Sequence, residues 1–71
     1  MATPFPVFVE RHQQRTYRAA FRVLGERAEA LDVTQEALLA LYRRGAGLPE
    51  ARVEGWLVRA ATCRALDRLR R

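Results

Sequence analysis

Two breaks divide this chain into three stretches, and a single repeat runs through each stretch. Gly25 marks the first break and "GAGLP", residues 45 to 49, the second. Glycine frees the backbone and proline removes an amide donor, so neither segment continues a helix. Between the breaks, apolar residues return at steps of three and four, the repeat of an amphipathic helix. Phe8, Val9, His12, Thr16, Ala20, Val23 and Leu24 make the first stripe. Leu31, Leu38, Leu41 and Tyr42 supply the second buried seam, and Val53, Trp56, Leu57, Ala60, Ala61, Leu66 and Leu69 the third. No alternating Val/Ile/Thr run occurs, and the chain contains no isoleucine. The pattern predicts an all-α fold: a compact three-helix bundle, one domain over the whole chain, with helices over about 5–24, 27–44 and 52–70.

Local signals place the ends. Thr3-Pro4 suits a helix start, and Pro6 makes a start nearer Val7 equally acceptable. Gly25 suits the C-terminus of the first helix. Glu26 and Glu29 fit the positive end of the second helix's dipole, and Arg43-Arg44 its negative end. Gly55 falls early in the third helix, where it costs least.

Length and composition bound the function. At 71 residues the chain is near the lower limit for a self-sufficient core. The single cysteine, Cys63, excludes an internal disulfide and a Cys-based zinc site, which fits a reduced, cytoplasmic protein. No apolar run reaches the length of a membrane span, so no membrane partner is expected. All 13 basic residues are arginine, against 8 acids, for a net charge of +5, which favours an anionic partner and nucleic acid above all. The charges are also segregated. Arg59, Arg64, Arg68, Arg70 and Arg71 crowd the end of the chain, while Glu26, Glu29, Asp32 and Glu36 crowd the start of the second helix. Two oppositely charged surfaces imply two partners.

Catalysis finds no support. His12, Cys63 and Asp67 form no motif, there is no phosphate-binding glycine loop and no metal-ligand cluster, so neither an enzyme nor a cofactor is expected. His12 reads as a packed histidine and Trp56 as a core anchor against the first two helices. A helix-turn-helix fits poorly, because the link between the second and third helices holds two glycines and a proline. The informative cluster is Asp32, Gln35 and Glu36, which spacings of three and four gather on one helical face. It is either a solvated face with a capping role or a surface shaped for a partner.

Taken together, "LGERAEALDVTQEALLALY" (24–42) and "VEGWLVRAATCRALDRLRR" (53–71) resemble domain two of bacterial sigma factors, the extracytoplasmic-function group in particular. Gly25-Glu26, Asp32, Gln35-Glu36 and the apolar run from Leu38 to Tyr42 stand where that family has a Gly-acidic turn, an Asp, a Gln-Glu pair and an apolar-aromatic run. Trp56-Leu57 and Asp67-Arg68-Leu69-Arg70-Arg71 match its Trp-Leu start and its closing Asp-Arg-Leu-Arg-Arg. The resemblance implies a transcription-initiation domain. Asp32, Gln35 and Glu36 would dock on the β′ clamp coiled coil of the RNA polymerase core, with an anti-sigma factor as a further implied partner.

The same resemblance lays the 45–55 loop and the third helix over promoter DNA, where the family recognises and melts the −10 element and captures the non-template single strand. Arg59, Thr62, Cys63, Arg64 and Arg70 are the candidate contacts, Arg68 and Arg71 are expected to be solvated, and Asp67 to pair with Arg64 or Arg71. Val58, Ala60 and Cys63 depart from the family, which often has an aromatic, a larger apolar residue and an Asn there. A thiol lacks the donor and acceptor of an amide. The alternative is therefore a protein-interaction module, binding polymerase or anti-sigma, without base-specific readout. The resemblance leaves no stretch of the chain for the family's domain four, so the expectation is either a domain excised from a longer factor, the favoured origin, or a stand-alone variant.

Overall fold

A computed structural model describes residues 5–44 and 47–70, with side chains from Glu10 onward. Expectations on Phe8, Val9, Thr3-Pro4, Gly45-Ala46 and Arg71 fall outside the described residues or side chains. The fold is all-α. Three helices, α1 (Phe5–Leu24), α2 (Arg27–Arg44) and α3 (Glu50–Leu69), pack against one another, with no strand among the described residues.

Each end has a physical cause. Gly25 takes a positive φ of 64° and its N–H donates to the Phe21 carbonyl at 2.7 Å, the hydrogen bond that closes a helix through a left-handed glycine. One residue on, Glu26 Oε1 accepts the Glu29 N–H at 2.7 Å and caps α2. The carboxylate thus does more than complement a dipole. Helix α3 begins at Glu50, earlier than the expected Arg52: Pro49, at φ −58° and ψ 141°, stands just outside it as the N-cap, and its carbonyl accepts the Arg52 N–H at 2.9 Å. Gly55 lies within α3, as expected, and the described part of the second connection is only Gly47 to Pro49.

The core is narrow and rich in alanine. Ala20, Ala30, Ala37, Ala61 and Ala65 are wholly buried, joined by Val33, Leu41, Val53 and Leu57. Small side chains let the helix axes approach closely, consistent with a cross-section of 18 × 17 Å. Thr16 and Thr34 are also buried, and each hydroxyl donates to the carbonyl four residues back, His12 at 2.8 Å and Ala30 at 2.7 Å. His12 is packed, with Nδ1 3.6 Å from Glu54 Oε1. Trp56 is half-buried against the core.

Several expected core residues lie outside it. Leu31 and Tyr42 are 41% and 66% exposed, and Leu66 and Leu69 are 44% and 58% exposed. The buried line of α2 runs instead through Ala30, Val33, Thr34, Ala37 and Leu41. Side-chain size misleads here: the close seam selects small residues, and the large ones stand to either side.

A core this small makes its few large members costly to lose. Leu57→Ala is expected to destabilise the chain by about 2–5 kcal/mol, comparable with the roughly 3–5 kcal/mol a domain of this size holds. Leu66→Ala should change little. Urea melts of the two variants, followed by far-ultraviolet circular dichroism, check the contrast.

Candidate functional site

The acids of early α2 converge on one arginine from the last turn of α3. Arg68 Nη2 donates to Asp32 Oδ2 at 2.7 Å and to Glu36 Oε2 at 2.6 Å, while Nη1 donates to Glu29 Oε1. Arg64 Nε lies further away, 4.0 Å from Glu36 Oε1. The Arg68 side chain is 21% exposed, whereas Asp32 keeps 62% and Glu36 44%. Hydrogen bonds to Asp32, then Glu29, then Glu36 raise the guanidinium pKa further above its ordinary value. A planar fork of donors can serve several carboxylates at once, which a lysine ammonium cannot do in the same fixed geometry.

Arg68 is therefore not the solvated bystander expected from sequence. It latches α3 to α2, and the two charged regions that seemed separate along the chain meet through it. The groove beside the latch is lined by Glu26, Glu29, Leu31, Asp32, Gln35 and Arg68, so carboxylates outnumber guanidinium groups and an acidic surplus remains.

Of the expected acidic face, Asp32 and Glu36 come together on Arg68, with Glu36 turned toward α3. Gln35 is exposed and lines the same groove. Beside it, Leu31, Leu39 and Tyr42 follow at near-helical steps and stand 41%, 52% and 66% exposed. The outer side of α2 thus combines an apolar stripe with an amide and a carboxylate rim. Sequence reasoning assigned Leu31 and Tyr42 to the core; two large apolar residues flanking an exposed glutamine at i−4 and i+7 were the overlooked signal.

The candidate DNA contacts on α3 divide. Arg59, Cys63 and Arg70 are exposed and, at steps of four and seven, share its outward side together with Leu66. Thr62 is half-buried and its hydroxyl donates to the Val58 carbonyl at 2.8 Å, which commits its donor. Arg64 turns toward α2 and Glu36. Asp67 pairs with Arg70, Nη2 to Oδ1 at 3.4 Å, rather than with Arg64; Arg71 lies outside the described residues. Both Asp67 and Arg70 are well exposed, so this contact is weak and easily exchanged for another anion.

Among the described residues, no group of His, Cys, Asp and Glu side chains is arranged to hold a metal ion, and no helix is long and apolar enough to cross a membrane.

The family described as Sigma-70 region 2 matches residues 8–71. The chain is similar to the "ECF RNA polymerase sigma factor SigE" of Mycolicibacterium smegmatis, 38% identical over 63 residues, which cover 89% of this chain and 24% of that protein. It thus spans about a quarter of the length of that curated relative. No solved structure gives a significant match.

The latch itself is open to test. Arg68→Ala and Arg68→Lys should both lower the thermal midpoint, Lys rescuing little because it cannot bridge the three carboxylates. The difference from the parent chain should shrink in ~0.5 M NaCl, where charges are screened over a few ångströms. Thermal melts at low and high salt measure both effects.

Proposed function

We propose that this chain, which belongs to the sigma-70 region 2 family, is a transcription-initiation domain that docks on RNA polymerase through the outer side of α2 and meets promoter DNA through the outer side of α3. The family is not enzymatic, and no catalytic step is assigned. The observation that carries the docking half is the exposed stripe of Leu31, Leu39 and Tyr42 around Gln35, rimmed by Asp32. Large apolar side chains beside polar groups of fixed orientation are the anatomy of a protein interface.

The proposed partner is the β′ clamp coiled coil. A basic helix would place arginine or lysine against the acidic surplus of the groove, and complementary charge would set its orientation and speed its approach. Arg68 contributes by holding Asp32 and Glu36 in place, so less side-chain freedom is lost on binding. Gln35 offers an amide that can both donate and accept, and it stands free of the latch.

On α3, Arg59 and Arg70 supply phosphate contacts that position the domain without reading sequence. The non-template strand around the −10 element is the proposed ligand, because separated bases can be held on their faces and edges. A second reading has its own observation. Thr62 spends its hydroxyl hydrogen on Val58, and Cys63 presents a thiol where an amide would read a base. That combination favours an interaction module, binding polymerase or an anti-sigma factor, in which base readout is lost.

Titration of the chain with a β′ clamp fragment tests the docking face. Gln35→Ala should weaken binding about three- to tenfold, the range of one hydrogen bond. Tyr42→Ala should weaken it as well. Undiminished binding by both variants contradicts the assignment. A parallel titration with labelled non-template-strand DNA separates the two readings: a preference for the −10 sequence supports the initiation domain, and weak, sequence-indifferent binding supports the interaction module.

A further inference from the structure

Neither of these surfaces uses the charge on α1. Arg11, Arg15, Arg18 and Arg22 follow at steps of four, three and four, which sets them within an arc of about 60°. All four are exposed. At the helical rise, the row is about 16 Å long. Arg15, Arg18 and Arg22 edge a shallow groove with Ala19 and, on α3, Val58. Arg15 Nη1 donates to Glu54 Oε2 at 3.0 Å and ties the row to α3. Among the described residues, Arg11, Arg18 and Arg22 have no ion-pair partner.

We propose that this row is a rail for the sugar–phosphate backbone of double-stranded DNA. Four guanidinium groups on one rigid helix, with three of them uncompensated, carry a cost in mutual repulsion that an anion removes. A duplex carries one negative charge per about 1.7 Å of its axis, both strands counted, so a length equal to the rail carries about ten of them. The groove beside the row is lined by no aromatic side chain on which bases could stack. The aromatic pair of α1, Tyr17 and Phe21, with centroids 5.8 Å apart, lies on the other flank beside Leu31 of α2. A single strand would therefore gain no stacking there and would present a lower charge density. Binding by the rail is expected to be indifferent to sequence.

This extends the inferred DNA role to a second helix and to unmelted DNA, and the two roles fail separately. The test uses the full 71-residue chain with a labelled duplex of random sequence and with one of its strands alone, each over a series of salt concentrations. The combined Arg11→Ala, Arg18→Ala and Arg22→Ala variant should lower the salt slope of duplex binding by about 2–3, close to 0.9 per lost phosphate contact. Its slope on the single strand should change by less than about one unit, and Arg59→Ala should show the reverse preference. Changing the same three residues to Lys should restore duplex binding, because a phosphate rail needs charge rather than a fork. An unchanged duplex slope in the Ala variant overturns the proposal, as does an equal loss on both ligands or a failure of Lys to rescue. Loss of single-strand binding by Arg59→Ala with an intact rail would bear on α3 alone.

Discussion

One guanidinium joins α2 and α3, the two helices to which the proposed function assigns its contacts. Arg68, near the end of α3, holds Glu29, Asp32 and Glu36 from the start of α2. The alanine-lined core supplies close packing but few large side chains, so it fixes the helix spacing more firmly than it fixes the exposed carboxylates. The latch does the second task. It sets where Asp32 and Glu36 point, and it couples the α2 face to the helix that carries Arg59 and Arg70.

This coupling gives the proposed function a physical order. Carboxylates held by Arg68 cannot all turn to a new cation without loosening α3, so the proposed partner would be met chiefly by the exposed surface beside the latch. That surface comprises Gln35, the exposed carboxylate of Asp32 and the stripe of Leu31, Leu39 and Tyr42. The acidic residues then act as an oriented rim around an apolar centre, not as isolated ion-pairing groups, which at such exposure contribute little. Arginines on the outer sides of α1 and α3 leave the rest of the surface suited to anionic polymers.

Much of the fold could be read from the chain because its breaks are chemical. Gly25 adopts the left-handed conformation that only glycine takes cheaply, and Pro49 stands immediately before α3 as its N-cap. The buried seam was harder to see. Hydrophobic weight pointed to Leu31 and Tyr42, yet the interior of α2 is Ala30, Val33, Thr34, Ala37 and Leu41. Alanine and threonine carry almost no signal on a hydropathy pattern, although close helices demand them. The same error hid part of the candidate site, since residues assigned inward are those that now stand exposed. Arg68 was opaque for another reason: its partners lie more than thirty residues away in sequence, and only packing brings them within reach.

The most direct measurement of the account is a position-specific cross-link in the complex with core polymerase. A short photoreactive side chain at residue 35 should link to β′, while a probe on the chain's single cysteine, Cys63, should link to promoter DNA and leave β′ unlabelled. A probe at residue 35 that never reaches β′, or a Cys63 probe that labels β′ instead of DNA, would contradict the assignment of α2 to polymerase and α3 to DNA.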